Sequence, residues 1–349
     1  MKTALLLVGW LLIAATVIPL IRKDAWWIRV FDFPRTQICV VGAVVLLVWF
    51  ATTDRFGVAG VIFLVALAAS LAWQGYMMYA YLPFAKKQVQ PSRNARRESS
   101  LRLLTANVLM TNRRAEPLRR IIEEANPDVI LAVETDGWWQ EQLRELEASH
   151  PYTVHQPQAN TYGMLLYSRL ELIAPEVKFL IQDDIPSIHA RLKLACGQEV
   201  ALHCLHPRPP SPTESDSSAP RDAELLLVGK TLKKSKLPVV VMGDLNDVAW
   251  SRTNYLFQDI SGLLDPRIGR GFFNTFHAGY AFMRFPLDHF FHSNHFRLTS
   301  FRRLGHFGSD HFPVFIDLSY EPDAAAEQPR LEATPADQQE ASEKITKAT

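Results

Sequence analysis

The sequence predicts an α/β domain between Leu101 and Tyr320, carried behind three membrane-spanning helices, and three observations predict it. Short apolar runs alternate with helical patterns throughout that span, as buried strands and their covering helices do. Polar side chains recur where those runs end. Residues 1–83 hold three uncharged apolar stretches of about the length that crosses a bilayer. A chain of 349 residues has room for one large domain with such accessory segments.

The first stretch, Ala4 to Ile21, follows Lys2 and contains Ala14 and Ala15, so a signal peptide is its competing reading. Two further apolar runs, Ile38 to Thr53 and Gly57 to Leu82, speak for a multi-pass anchor instead. Trp73, Tyr76, Tyr79 and Tyr81 crowd the end of the last run as an interfacial belt does. A buried soluble bundle is the bland alternative, but runs this long are rare in water-soluble folds. Arg22, Lys23, Arg29 and Arg35 stand in the first loop, and Lys86, Lys87, Arg93, Arg96 and Arg97 follow the third run. Only Lys2 and Arg55 fall on the other side, so the positive-inside rule puts the C-terminal domain in the cytoplasm of a bacterial-type inner membrane. Trp26, Trp27, Phe31 and Phe33 suit a first loop lying among headgroups.

Residues 84–100 read as a basic linker suited to anionic headgroups. Residues 321–349, rich in Ala, Glu, Gln, Pro and Lys, read as a disordered tail. In between, residues 101–320 carry candidate strands at Leu101 to Ala106, Val129 to Val133, Gly163 to Tyr167, Ile188 to Leu194, Val200 to Leu205, Pro238 to Met242, Leu287 to His292 and Pro313 to Leu318. Candidate helices are Ala115 to Ala125, Gly137 to Ser149 and Arg221 to Lys234. The balance of 37 Lys+Arg against 36 Asp+Glu gives no global basic field of the kind a free DNA-binding enzyme uses. Cys196 and Cys204 are close enough in sequence to pair, and spacing alone does not decide it.

Five motifs deliver polar side chains at strand ends: Asn107, Glu134, His206, Gly243-Asp244-Leu245-Asn246 and Ser309-Asp310-His311. After Val239 to Met242, Gly243 permits a sharp turn that puts Asp244 and Asn246 on one side. A carboxylate and an amide so placed can orient a water and hold a phosphoryl oxygen; the bland reading is an Asp/Asn-stabilised turn. Asp310 and His311, adjacent in extended chain, point oppositely, so Asp310 suits a metal or the sheet end while His311 faces substrate. Glu134 ends a run that would bury it, and a buried charge needs a partner such as a divalent cation. Asn107 can add a neutral oxygen, and hard oxygen donors favour magnesium, with manganese as a substitute, over zinc. His203, Cys204 and His206 look zinc-like, but alternation sends Cys204 to the opposite face.

Taken in order, Asn107, Glu134, His206, Asp244 with Asn246, Asp288 in Pro286-Leu287-Asp288-His289, and Asp310 with His311 resemble the endonuclease/exonuclease/phosphatase superfamily across essentially all of residues 101–320. The resemblance implies a four-layered α/β/β/α sandwich with the site at one edge. It implies Glu134, Asn107 and Asp310 at the metal, Asp244 on the attacking water, and Asn246, Asn107 and His311 on the phosphate. Asp288 would orient His311, and His206 would assist the leaving group. Asn112, Ser168, Arg221 and Thr275 fall beside those positions as supports. The layout also resembles bacterial three-helix, membrane-anchored members linked to glycopeptide resistance, in which the domain faces outward and a lipid-carrier phosphate is an attractive substrate. The expected activity is magnesium-dependent hydrolysis of a lipid-linked or other membrane-proximal phosphate. The alternatives are a membrane-associated nuclease acting on nucleic acid and a non-catalytic scaffold retaining the fold. The Phe272, Phe273, Phe276, Tyr280, Phe282 and Phe285 cluster reads as core packing or as residues dipping toward lipid.

Overall fold

The computed structural model describes residues 2–53 and 57–348. Arg55, counted above on the far side of the membrane, lies outside the described residues. The helices are α1 (Lys2–Val17), α2 (Trp26–Arg29), α3 (Arg35–Thr52), α4 (Val58–Tyr79), α5 (Ala115–Ala125), α6 (Gly137–Leu143), α7 (Ala219–Leu232), α8 (Arg252–Ser261), α9 (Ala324–Glu327) and α10 (Pro335–Ala348). The strands are β1 (Ser100–Asn107), β2 (Val129–Val133), β3 (Tyr152–Gln156), β4 (Met164–Ser168), β5 (Leu172–Lys178), β6 (Ser187–Lys193), β7 (Glu199–Cys204), β8 (Val239–Asp244), β9 (Asp288–His292), β10 (Phe296–Arg303) and β11 (Val314–Tyr320).

Two mixed sheets result, ordered β10-β11-β1-β2-β4-β3 and β5-β6-β7-β8-β9. Alternation along each strand explains why the runs are apolar on every residue. Val129, Leu131 and Val133 of β2 meet Val240 and Met242 of β8 in the core between the sheets. Ile130 and Ala132 point the other way, onto Leu118 and Ile122 of α5 and Trp139 of α6. Val239 and Val241 likewise back onto Leu225 and Val228 of α7 and Phe257 of α8. These layers are helix, sheet, sheet, helix, as expected. All eight anticipated strands are present. Three more, β3, β5 and β10, run along sheet edges.

Three helical segments, Lys2–Ile21, Arg35–Thr52 and Val58–Tyr79, are long and apolar enough to cross a membrane. They pack on one another around Phe63 and Leu67. Their domain-side end carries a buried polar chain, in which Gln74 Nε2 donates to Thr16 Oγ1 at 3.0 Å. Arg35 completes it, donating to Gln74 Oε1 at 2.7 Å and to Asp32 Oδ1 at 2.6 Å. That end is fastened to the sandwich: Trp250 Nε1 donates to Asp32 O at 2.8 Å, Tyr81 OH to Ala249 O at 2.6 Å, and Ser218 N to Asp24 O at 2.7 Å.

Two expectations need correction. Residues 84–100 form a strap rather than a free linker: Val89 is fully buried, and Gln90 N donates to Gln328 Oε1 at 2.7 Å. The segment 321–349, expected to be disordered, ends in α10, which lies against α7 and α8. Its hold is ionic more than apolar, which is why composition hid it. Arg252 reaches Asp337 at 2.7 Å and Glu340 at 2.8 Å, Lys344 bridges Asp24 at 3.0 Å and Asp222 at 2.8 Å, and Lys347 pairs with Asp24. Cys196 and Cys204 are both free, Cys204 within the inter-sheet core, and Cys39 is free as well.

His203 points to the outer face of β7 and meets His189 of β6, Nδ1 to Nδ1 at 2.6 Å. Burial pushes both rings down, to about 4 for His189 and about 3 for His203, so both stay neutral in the fold. An unfolded histidine titrates near 6.5, so the unfolded chain takes up protons first as pH falls. Each proton refused by the fold costs about 1.4 kcal/mol per pH unit below that value, until the folded rings themselves protonate. The His189→Leu/His203→Leu chain is therefore expected to lose less melting temperature than the native chain between pH 7 and pH 4. Parallel pH profiles of the two in thermal melts would refute this assignment.

Candidate active site

The β1, β2, β7 and β8 strand ends converge with the loop before β11, and the residues singled out in the sequence meet there. Asp244 is at the centre and fully buried. Its Oδ2 accepts from Asn107 Nδ2 at 3.0 Å and lies 3.5 Å from His311 Nε2, while its Oδ1 accepts from Asn246 N at 2.9 Å. Asn107 Nδ2 also donates to Glu134 Oε1 at 2.7 Å, joining the two carboxylates. His311 Nδ1 lies 2.9 Å from Asp288 Oδ2.

Local backbone explains the presentation. Glu134 and Asn246 both adopt left-handed conformations, φ 59° and 52°, which turn each side chain out of its strand line. Such positions cost free energy in non-glycine residues and cluster at functional sites. Gly243, at φ 142°, lets β8 pass within van der Waals reach of Leu205 O. Asn246 Nδ2 donates to Pro207 O at 3.0 Å, tying its loop to the chain after His206. Ser309 Oγ donates to Asn107 O at 2.8 Å and receives His311 N at 3.0 Å, locking the last motif to the first strand.

The electrostatics are those of a site holding excess negative charge. Burial pushes Glu134 up to about 7, against the Asn107 hydrogen bond and with help from Asp244 and Asp310 nearby. Burial raises Asp244 as well. His311 goes the other way from most buried histidines: burial alone would lower it, but Asp244 and Asp288 outweigh that and hold it at about 10. It is therefore an imidazolium at neutral pH. His206 is fully neutral, lowered by burial to about 4, with Nδ1 buried and without a partner.

A cation fits here. Among the described residues Glu134 has no Lys, Arg or His within ion-pair distance, its side chain accepts from Asn107, and Asp288 Oδ1 is buried without a partner. The ligating atoms of Asp244, Asp288 and His311 lie within 4.8 Å of one another, so this buried acidic and histidine group could also hold a metal. His311 already supplies positive charge within that trio, whereas it acts on Glu134 only from beyond ion-pair distance.

Of the residues expected as supports, Arg221 donates from Nη1 to Asn246 O at 2.7 Å, and Thr275 Oγ1 accepts from Asp288 N at 3.2 Å. Asn112 braces the same region, donating to Val108 O at 3.2 Å. Ser168 is not at the site: it pairs with Val129 at the opposite end of β2 from Glu134. Residues the sequence did not flag include Asp247, which takes Arg221 at 3.2 Å and Ser251 Oγ at 2.6 Å, and Tyr162, whose ring lies 5.5 Å from His206. Neither follows a strand-end pattern of its own.

Solved structures with this fold include the endonuclease/exonuclease/phosphatase protein of Bacteroides vulgatus, at 17% identity and TM-score 0.53, covering 64% of this chain and 99% of that one. D. rerio TDP2 complexed with single-strand DNA product gives 16%, 0.52, 63% and 99% in the same terms. The human Nocturnin catalytic domain with bound sulfate gives 16%, 0.50, 65% and 96%. At these identities the likeness concerns the fold. No curated protein matches the chain significantly in sequence. The sequence model of the Endonuclease/Exonuclease/phosphatase family matches residues 104–311, from β1 through His311. That stretch is most of the chain and holds every residue of the convergence around Asp244, so the protein belongs to this family of metal-dependent phosphoester hydrolases.

Proposed function

We propose that the site cleaves a phosphoester by in-line attack of water, with magnesium held by Glu134, Asn107 and Asp310, and that the phosphate is borne by a membrane lipid. The observation that carries the chemistry is the meeting of Asn107, Asn246 and His311 on the single carboxylate of Asp244. Asp244 orients the water and takes its proton, a task that its raised basicity suits. His311 donates from Nε2 to a phosphoryl oxygen as a full positive charge, while Asp288 keeps the ring oriented through Nδ1. Asn246 spends one amide hydrogen on Pro207 O and keeps the other for the phosphate. His206, being neutral, covers the leaving oxygen with a hydrogen bond, and the leaving group takes its proton from solvent. Bound magnesium, or manganese in its place, would add positive charge against the phosphoryl oxygens.

The lipid assignment rests on the three apolar helices, which join the sandwich beside the site. A bilayer-tethered enzyme meets lipid phosphates at high effective concentration. The basic count favours a catalytic domain on the cytoplasmic face of a bacterial-type inner membrane, and a C-terminal reporter fusion distinguishes that from an outward-facing domain. The chemistry is tested with the full chain in proteoliposomes, offering prenyl phosphate, phospholipid and plasmid DNA with magnesium or with chelator. Release of phosphate from a lipid is expected to stop in chelator and to return with magnesium or manganese, and Glu134→Gln is expected to raise the metal concentration needed at least tenfold. Turnover that persists in chelator would sink the metal assignment. Cleavage of DNA with inert lipids would put the nuclease reading in its place.

A further inference from the structure

We infer that the hairpin formed by residues 276–285 is a lip that inserts into the membrane leaflet beside α3 and passes lipid-borne phosphate from that leaflet to His311; the delivery step rests on the lipid reading above.

The hairpin connects two places. At its base, Phe276 and Phe285 pair as an antiparallel bridge, Phe276 also bridges His311, and the Phe276 ring lies 5.0 Å from the His311 ring. Ala278 N donates to Asp310 O at 2.6 Å. The base is thus backbone-bonded to the catalytic motif. At the tip, His277 N donates to Met283 O and Met283 N to Tyr280 O, both at 3.0 Å, closing a tight turn. Tyr280, Phe282 and Met283 then project into the open at 65%, 59% and 48% exposure. A loop with three such side chains contiguous and uncovered is unlike the scattered apolar residues of ordinary surfaces.

The position of the tip identifies what covers it. Gln37 Nε2, in the first turn of α3, donates to Phe282 O. Along α3 from Gln37, helical spacing leads to Val40, Val44 and Leu47, exposed by 53%, 53% and 70%. In a membrane that stripe is covered by acyl chains. The tip therefore hangs at the interface end of a lipid-facing stripe, at headgroup depth, where Tyr and Phe are favoured. Charge agrees. Arg284 on the hairpin and Arg303 on β10 flank the Phe312 ring at 5.0 and 4.3 Å, and among the described residues neither has a carboxylate partner. Two guanidinium groups without counter-ions beside such a tip suit the phosphates of an anionic leaflet. Phe312 is the immediate neighbour of His311, so these arginines gather anionic headgroups one residue from the catalytic motif.

The test uses the full chain in phosphatidylethanolamine/phosphatidylglycerol proteoliposomes with two substrates, vesicle-embedded prenyl phosphate and water-soluble p-nitrophenyl phosphate. For Tyr280→Ser/Phe282→Ser/Met283→Ser, kcat/KM on the embedded substrate is expected to fall at least tenfold, and on the soluble one to stay within twofold. Equal loss on both, or none on either, overturns the proposal. Independently, p-benzoylphenylalanine at position 282 is expected to photo-crosslink to radiolabelled phospholipid, and crosslinks to protein alone overturn the lip. If the native chain hydrolyses no lipid phosphate yet crosslinks through position 282, the substrate reading and the delivery step fail, and the lipid contact stands.

Discussion

Asp244→Asn is expected to lower kcat by at least about 10³-fold while leaving the circular dichroism and melting of the protein nearly unchanged. The amide keeps the volume of the carboxylate and its one oxygen can still accept from Asn246 N, while its NH2 turns toward Asn107 Nδ2 and gives up that bond, so the packing survives the loss of a single hydrogen bond. What is lost is the base, and with it one of the negative charges that hold His311 protonated. Removal of a general base and weakening of a transition-state charge each cost about 10² or more in rate. Asp288→Asn separates the two effects. It leaves Asp244 in place and keeps an oxygen that can accept from Nδ1, but removes the negative charge of that partner, so His311 drops from about 10 toward its ordinary value. The active form carries the proton, so activity falls as pH rises through this pKa. The alkaline limb of the kcat profile is expected to move to lower pH in Asp288→Asn and to be absent as a His311 titration in His311→Gln. An unmoved alkaline limb in Asp288→Asn would contradict the assignment of His311 as the cation.

A polar residue stands out in a sequence where its apolar neighbours do not call for it. Asp244, Glu134 and His311 were legible because each breaks an apolar run at its end, where a polar residue has no structural reason to be. The central strands were legible for the same reason, since β2 and β8 are buried on both faces and read as apolar runs, and β1 from Leu101 to Ala106 interrupts one only at Arg102 and Thr105. The edge strands were not: Tyr152–Gln156, Leu172–Lys178 and Phe296–Arg303 mix polar or charged residues among the apolar ones because one flank meets water or loops. Helix α8 was missed because its sequence, RTNYLFQDIS, is polar; it starts on the Ser251 side chain, which accepts from Asn254 N at 3.0 Å. Asp247 and Tyr162 acquire their roles only from tertiary neighbours. The same holds for α10, whose anchor Lys344 finds Asp24 and Asp222 far away in sequence.

Gly243→Ala is expected to prevent the chain from folding, or to destabilise it by more than about 4 kcal/mol, the range reserved for a few named mechanisms. Two of them apply at once. A Cβ at this position would stand 2.0 Å from Leu205 O and 3.0 Å from Leu205 C, atoms of a neighbouring backbone that no rotamer change can move. The φ of 142° is also one that L side chains rarely adopt. Relief would require β7 and β8 to separate, and Leu205 N donates to Met242 O at 3.0 Å across that gap. The two strands carry His206 and Asp244 at their ends, so the close approach sets the distance between the group that covers the leaving oxygen and the base. Thus a substitution outside the reacting groups is expected to abolish both the yield of folded protein and turnover, whereas Asp244→Asn abolishes turnover alone. Gly137→Ala, where an added Cβ meets nothing within 4 Å, is the control and is expected to fold normally. Normal yield and melting of Gly243→Ala would show that β7 and β8 can part at no cost, and the geometry assigned to His206 and Asp244 would then have no fixed frame.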